Sequence, residues 1–451
     1  MQIDRATLER IQELAPRLAA RAGTRVLEGI AWPREVEERF FASGESSLPE
    51  VSYAPDRDAL RKRIAELEEL LRGIDGDSPA LEWLRDCVRG QIEGAALLEA
   101  AGTRAFYERS CALYGSARTS FFGGAMRNVD LAQHLSARLS IHGWDEASDP
   151  PVEPLDANAL RELLTARIEA RSPRMDVQVT LDARITAKVV AGMTRVRIRP
   201  DAVFARWEAE GLWYHEVETH ALTAHNGAAQ PLLTFLRSGG PRSTRTQEGL
   251  ALFAELYHRK LSIARLTRLA TRVRLVDMAE QGASFLDLYR YLREQGAERR
   301  DAYFDAQRIC RGGLVEGGAP FTKDACYLAG LLEVYAFFAA VLRGGLRDEV
   351  EMIACGRISL GDIAVLSALR AAGVLARPRY LPEWLCAWET LLPYFAFTSF
   401  MDGIDLGPVE QHFRTLLDVA DVAGPHAAQK NEERPARKVS SPRQSGGSRR
   451  S

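Results

Sequence analysis

Apolar residues recur every three or four positions along most of this chain, which is the spacing of amphipathic helices. The clearest case is residues 57–72, where Leu60, Ile64, Leu67 and Leu71 stand among charged residues. Similar patterns predict further helices at 4–23, 33–41, 79–102, 103–115, 156–170, 261–281, 284–295, 298–310, 327–342, 358–376 and 381–400. The pattern therefore predicts a predominantly helical protein.

In one region the apolar residues recur at every second position, which is the spacing of β-strands. Val177, Val179 and Leu181 alternate with polar residues, and the alternation returns on both sides of a Gly-Met pair within 185–198. This predicts a small β-sheet with a hairpin, so the fold class is α+β with mostly helices. The hairpin precedes the motif described next. It either presents an edge strand to an extended substrate or only supports the following helix.

That motif is HEVETH at 215–220, inside an apolar run that predicts a helix. Its two histidines are five residues apart, which places them about 140° apart on an ideal α-helix. That is too far for one metal ion. A π-type widening would bring them together, and such widenings often occur at functional sites. The spacing therefore predicts a bulge near residues 217–219 or no shared metal.

The residue types fit a catalytic zinc site, which takes three protein ligands and leaves a fourth position open. His215 and His220 would supply nitrogens, and Glu216 could accept a proton from the bound water. Glu248, in the downstream QEGLA sequence, is the candidate for the third ligand. His220 with His225 has the same spacing and is a rival pair. We favour His215 with His220, because only this pair has a Glu directly after its first member.

Four stretches together resemble a known family: HEVETH at 215–220, LTAHNG at 222–227, TQEGLA at 246–251 and PFTKDACYL at 320–328. They resemble the bacterial QEGLA-motif proteins (flavohemoglobin expression-modulating), whose eukaryotic relatives include the microtubule-associated tyrosine carboxypeptidase. The similarity runs from about Val26 to beyond Tyr335. It implies a zinc-metallopeptidase-like core in which one Zn²⁺ is held by His215, His220 and Glu248, with Glu216 as general base.

The resemblance also implies removal of a C-terminal residue, with an aromatic residue as one candidate. A carboxypeptidase binds a free carboxylate, which calls for a fixed cation. Arg308, Arg311 and Lys323 are the candidates for substrate binding. Tyr327 would steady the developing oxyanion or pack in the core.

Two acidic residues near the motifs have open roles. Glu218 replaces a small residue of the eukaryotic members, and we expect it to face solvent rather than to compete as a ligand. Glu255 lies seven residues after Glu248, on the same helix face. It either orients a ligand imidazole or forms a salt bridge.

The composition limits the expected binding partners and the expected cellular compartment. The 451 residues are 46% apolar with a net charge of −2, which gives no general attraction to nucleic acid or anionic membranes. Six Cys without a C-x-x-C pair indicate reduced thiols. We find no signal peptide and no apolar run as long as a membrane span. These features predict a soluble, cytoplasmic protein.

The acidic, Pro-rich residues 145–154 predict a boundary between a helical region at 1–147 and a catalytic region at 155–424. Residues 425–451 are basic and almost free of apolar residues, which predicts a disordered tail. The expected partner is a peptide or protein C-terminus. Two other functions remain open: a zinc hydrolase of a non-peptide amide, and a non-catalytic regulatory or binding protein that retains the metal site.

Overall fold

The computed structural model describes residues 3–140, 154–171, 175–185 and 187–416. It is 65% helical with a few small sheets, which confirms the predicted class. The α-helices in this part of the chain are α1 (Arg5–Ala19), α2 (Val26–Gly29), α3 (Arg34–Ala42), α4 (Arg57–Arg72), α5 (Pro79–Glu99), α6 (Arg104–Tyr114), α7 (Asn128–Ser140), α8 (Ala157–Ala170), α9 (Arg206–Leu212), α10 (Leu222–Ala228), α11 (Pro241–Tyr257), α12 (Ile263–Glu280), α13 (Phe285–Glu294), α14 (Arg299–Cys310), α15 (Cys326–Arg343), α16 (Arg347–Met352), α17 (Ile363–Ala371), α18 (Glu383–Cys386), α19 (Trp388–Asp402) and α20 (Gly407–Leu416).

Several helices begin at residues whose side chains cap a free backbone N–H. Asp4, Asp56, Ser78, Asp156 and Ser262 each accept a hydrogen bond from the amide three residues later. These polar residues stand directly before an apolar helical repeat. This is why the predicted starts of these helices agree closely with the structure.

The strands form two small sheets. β1 (Leu155–Asp156) pairs antiparallel with β5 (Val203–Phe204). In the other sheet the order is β2-β4-β3, with β2 (Gln178–Leu181) parallel and β3 (Val189–Ala191) antiparallel to β4 (Arg195–Ile198). The predicted hairpin is therefore confirmed as β3 and β4. β3 is an edge strand of its sheet.

A π-helix, Trp213–Ala221, lies between α9 and α10 and packs on α11 and on β3. Its apolar side belongs to the largest buried cluster, which also takes residues from α8, the β2-β4-β3 sheet, α11 and α15. Two further apolar clusters lie among α1, α4, α5 and α17, and among α3, α12, α13 and α14. The segment that carries the HEVETH motif is therefore part of the core.

Helices α11 and α15 cross at two glycines. A Cβ atom on Gly249 would lie 2.2 Å from the carbonyl oxygen of Gly330, and one on Gly330 would lie 2.3 Å from the carbonyl oxygen of Arg245. No side chain fits at these distances. Glu248 of α11 then meets Lys323 in the 3-10 turn directly before α15. The close crossing explains the glycine of the QEGLA sequence.

Two compact units divide the chain, Met1–Ser399 and Phe400–Ser451. All the predicted site residues lie in the first unit. The described part of the second unit contains the end of α19 and α20. Most of the predicted boundary at 145–154 and the whole predicted tail at 425–451 lie outside the described residues, so both stay predictions. All six cysteines are free thiols.

One stretch of the described residues, Thr322–Arg343, is long and apolar enough to cross a membrane, with a mean hydropathy of 1.9. The prediction that no apolar run reaches this length is therefore wrong. Of the 18-residue part that meets this test, 61% is buried inside the protein, as in the core helices of many proteins. Its buried position against α11 accounts for the apolar composition.

Candidate metal centre

The π-helix brings the two histidines of the HEVETH motif together. Each turn of a π-helix takes more residues than a turn of an α-helix, so side chains five residues apart lie on one side. The imidazole rings of His215 and His220 have their centroids 4.9 Å apart and their planes at 87°. The predicted widening between these residues is confirmed, and it extends over nine residues.

Side-chain donors support the carbonyl groups of the π-helix. The Thr219 hydroxyl donates to the Tyr214 carbonyl, five residues back, at 2.8 Å, and the Thr223 hydroxyl donates to the Thr219 carbonyl at 2.8 Å. Arg357 donates from Nη2 to the His220 carbonyl at 3.1 Å. A helix form that is rare in isolation is thus held in place by its neighbours.

Glu248 approaches the histidines from α11. Its Oε2 atom lies 3.6 Å from His215 Nε2 and 3.7 Å from His220 Nε2. Tetrahedral zinc, with bonds of about 2.1 Å, separates its ligand atoms by about 3.4 Å. The two nitrogen–oxygen distances therefore lie within a few tenths of an ångström of the separation that zinc requires. Among the described residues this is the one group of His, Cys, Asp and Glu placed to hold a metal.

The second oxygen of Glu248 is held by a lysine. Lys323 Nζ lies 2.7 Å from Glu248 Oε1. Burial acts to raise the pKa of Glu248, but Lys323 and the two imidazoles outweigh burial and keep this pKa well below its usual range. The carboxylate is therefore ionised at neutral pH, as a metal ligand must be.

Glu255 contacts the side of the His215 imidazole that lies away from Glu248. Its Oε1 atom lies 2.6 Å from His215 Nδ1. Arg265 in turn donates to both oxygens of Glu255, from Nε at 2.6 Å and from Nη2 at 2.8 Å. A carboxylate at Nδ1 fixes the ring and leaves Nε2 free for a metal. The sequence left two roles open for Glu255, the orientation of an imidazole or a salt bridge. The structure shows both, the contact with His215 and the salt bridge with Arg265.

The same carboxylates set the charge of His215. Burial acts to lower the pKa of this imidazole, but Glu248 and Glu255 outweigh burial and raise the pKa to about 9. Without a metal, His215 therefore carries a proton at neutral pH. A metal that binds there must displace this proton.

Glu216 points toward the sheet edge. Its Oε2 atom accepts a hydrogen bond from the Ala191 amide in β3 at 2.9 Å. On the other side of β3, the Gly192 amide donates to the Arg195 carbonyl and the Lys188 carbonyl accepts from Arg199. Because backbone groups alternate along a strand, those of Val189 and Ala191 point away from β4, to the side on which Glu216 accepts from the Ala191 amide.

Glu218 does not face solvent, so that prediction is wrong. Its side chain is fully buried, with 0% of its area exposed, on the side of the π-helix away from the metal site. Its Oε1 atom accepts from Arg171 Nε at 2.7 Å, and its Oε2 atom accepts from the Glu383 amide at 2.9 Å. A buried carboxylate needs such partners, and here they join the π-helix to α8 and α18.

His225 does not belong to the candidate centre. Its Nε2 atom lies 3.1 Å from the backbone carbonyl of Asp176. It is absent from the metal-binding group found in the described part of the chain. The geometry therefore favours His215 with His220 over the rival pair.

Three of the predicted substrate-binding residues, Lys323, Tyr327 and Arg308, are joined by hydrogen bonds beside Glu248. Lys323 Nζ is 2.5 Å from the Tyr327 hydroxyl, and Arg308 Nη2 donates to the same hydroxyl at 2.9 Å. Arg308 also binds Asp324 at 2.7 Å. Burial raises the pKa of Tyr327 to about 12, so the phenol stays protonated. Arg311, on the next turn after Arg308, is buried.

Three basic residues of the centre escaped the sequence analysis: Arg171, Arg265 and Arg357. They contact Glu218, Glu255 and the His220 carbonyl from α8, α12 and the loop before the 3-10 helix Leu360–Asp362. None lies within a recognisable motif. No signal in the sequence marks them, because none of the three neighbours its partner along the chain.

A comparison with known proteins identifies the family of this chain. A family model described as microtubule-associated tyrosine carboxypeptidase matches residues 38–403, most of the chain. The chain belongs to this family. The expected relation to the microtubule-associated tyrosine carboxypeptidase is thereby confirmed.

A human member of the microtubule-associated tyrosine carboxypeptidase family, microtubule-associated tyrosine carboxypeptidase 1, is 25% identical over 240 residues. The matched region covers 51% of this chain and 48% of that protein, so the chain spans about half of the relative's length. The family match includes the π-helix, α11 and the start of α15. It therefore supports a carboxypeptidase-like peptidase.

We expect Glu255→Ala to weaken zinc binding by about 10- to 100-fold, because the His215 ring loses the carboxylate that orients it. Competition with a chromophoric chelator measures this affinity. Glu210→Gln, at a half-buried residue of α9 that pairs with Lys260 and not with the histidines, is the control and should leave the affinity unchanged. Equal affinities in wild type and Glu255→Ala would show that Glu255 does not position His215.

Proposed function

We propose that this protein is a zinc-dependent carboxypeptidase. The observation that carries the proposal is the convergence of His215, His220 and Glu248 around one point, with Glu216 beside them. The family match supports peptidase chemistry in particular. The donor set of two imidazoles and one carboxylate is typical of catalytic zinc.

Zinc, when bound, would polarise a water molecule and lower its pKa. The protein's own residues would do the rest. Glu216 takes the proton of the attacking water and returns it to the leaving amine. Glu255 keeps His215 in the orientation that leaves Nε2 free, and Lys323 keeps one oxygen of Glu248 turned away from the histidines.

The Tyr327 phenol would donate a hydrogen bond to the carbonyl oxygen as negative charge develops there. Two observations support this role: the hydroxyl is held by Lys323 and Arg308, and Lys323 is bonded to Glu248. The alternative is a packing role for the ring. Tyr327→Phe separates the two, because it keeps the ring and should lower kcat only if the hydroxyl acts.

The edge of β3 would bind the substrate main chain. Its outward carbonyl groups, at Val189 and Ala191, are placed to accept hydrogen bonds from an extended peptide. Such pairing uses alternate residues of the peptide. Peptides N-methylated at single positions should therefore lose affinity at every second position, and a uniform effect at all positions would argue against pairing with β3.

Peptides with free C-termini test the activity itself. Mass spectrometry should show loss of single C-terminal residues, which a chelator stops and added zinc restores. A library ending in each amino acid would reveal any preference for aromatic residues. Zinc-loaded, folded protein that cleaves none of these peptides would favour a non-peptide amide substrate or a binding role.

A further inference from the structure

Arg311 is a buried cation without an anionic partner. Only 6% of its area is exposed, and its Nε atom has no hydrogen-bond partner. Among the described residues its guanidinium joins no hydrogen bond and no ion pair. The other buried basic side chains in this part of the chain, Arg171 and Lys323, are each paired with a carboxylate.

The carboxylates near Arg311 are paired with other basic side chains. Arg308 pairs with Asp324 at 2.7 Å, Lys323 with Glu248 at 2.7 Å, and Arg272 with Asp305 at 2.8 Å. Arg268 also lies 4.0 Å from Asp305, so these three carboxylates serve four cations. Arg311 is a fifth cation, and Asp324 attracts it without forming an ion pair with it.

Hydrogen bonds fix the backbone at Arg311 and at the residue after it, whereas the Arg311 guanidinium forms none with the described residues. The Arg311 amide donates to the Gln307 carbonyl at 2.8 Å. The next residue, Gly312, donates to the Tyr53 hydroxyl at 2.7 Å and accepts from the Gly102 amide at 2.9 Å. Gly312 also has φ +78°, which favours glycine.

The cost of this arrangement calls for an explanation. Burying an unpaired charge is unfavourable, and the Phe321 ring, 5.9 Å from Arg311 Cζ, offsets only part of the cost. Burial lowers the pKa of Arg311 to about 10, so the side chain is still charged at neutral pH. A guanidinium held in this way suits a ligand that brings its own negative charge.

We propose that Arg311 is the residue that receives the terminal carboxylate of the substrate. This inference rests on the proposed carboxypeptidase function and chooses among its three candidate cations. Arg308 and Lys323 already bind carboxylates of the protein, whereas Arg311 can give its full charge and both guanidinium nitrogens to a new one.

The position of Arg311 agrees with this role. It lies three residues after Arg308, at the end of α14. Arg308 is bonded to Tyr327, Tyr327 to Lys323, and Lys323 to the metal ligand Glu248. Arg311 follows the last residue of this chain of contacts by about one helical turn, which separates it from the metal, as a group that binds the end of the substrate must be.

The first test is a matched pair of ligands, N-acetyl-phenylalanine and its C-terminal amide, titrated into zinc-loaded protein by calorimetry. Wild type should bind the acid about 10- to 100-fold more tightly than the amide, because a charge-assisted pair is lost with the amide. Arg311→Gln should bind both about equally. A preference for the acid that persists in Arg311→Gln would overturn the proposal, because the carboxylate would then be bound elsewhere.

The melting temperature is a second measurement, and it distinguishes substrate binding by Arg311 from a purely structural role. Arg311→Gln removes an unpaired buried charge and should keep or raise Tm. Arg308→Gln leaves Asp324 without its partner and should lower Tm. A loss of Tm in Arg311→Gln as large as in Arg308→Gln would mark Arg311 as a structural residue and contradict the proposal.

Arg311→Lys keeps the charge without the two-pronged geometry, and it replaces Arg311→Gln if that variant does not fold. Its acid-to-amide preference should lie well below that of wild type; an unchanged preference would overturn the proposal. Failure of the proposed function is distinguishable: protein that prefers the acid through Arg311 but cleaves no peptide retains this inference and loses the peptidase.

Discussion

Glu216→Gln is expected to lower kcat for peptide cleavage by about 10³-fold while zinc remains bound. The amide of glutamine is nearly the same size as the carboxylate but cannot accept the proton of the attacking water. The ligand atoms of His215, His220 and Glu248 are untouched by the change. The measurement is kcat beside zinc content, both on the same preparation.

The control for this variant is Glu210→Gln, the same chemical change on α9, next to the π-helix, which should leave kcat unchanged. Wild-type activity in zinc-loaded Glu216→Gln would mean that Glu216 is not the base. If neither protein cleaves peptides, the non-catalytic binding role becomes the better account. A binding protein would keep its function in Glu216→Gln.

Gly249→Ala is expected to lower the free energy of unfolding by at least about 3 kcal/mol, because the added methyl group would collide with backbone. The obstacle is the carbonyl oxygen of Gly330, 2.2 Å from the new atom, and a carbonyl inside a helix cannot turn aside. The two helices must separate instead. Urea unfolding gives the change in free energy, and zinc affinity should fall as Glu248 moves with α11.

A helix-interior glycine with more room supplies the matched control. A Cβ on Gly90, in α5, would meet the Arg242 side chain at 3.3 Å, a contact that a small adjustment relieves. Gly90→Ala should be neutral or stabilise the protein by up to about 1 kcal/mol, because alanine is the better helix former. Equal stabilities of Gly249→Ala and wild type would contradict the close helix crossing.

The metal centre was largely predictable from local sequence. Two histidines five residues apart, in an apolar helical run, fit one metal only if the helix widens, and the π-helix at Trp213–Ala221 is that widening. The reason is geometric: the side chains of one helix are related by its own periodicity, so spacing alone predicts which of them share a face.

The contacts between distant segments were not predictable in the same way. Glu218 follows the HEV sequence, and nothing near it indicates that Arg171 would be buried against it. The pairing depends on how α8 packs against the π-helix, which neither segment determines alone. For the same reason Arg308 and Arg311 looked alike in the sequence, although only Arg308 finds a carboxylate in the fold.

The role of the glycine in the QEGLA sequence was likewise not predictable. Its partner, Gly330, stands in a different apolar helix, and the close approach of the two backbones is seen only in the structure.

The most direct test of the metal centre is the metal content of the purified protein, measured by mass spectrometry beside His220→Ala and Glu248→Ala. We expect about one zinc per chain in wild type and almost none in either folded variant, because each loses one of three ligands. Folded wild-type protein that takes up no zinc, or variants that retain it fully, would contradict the proposed centre.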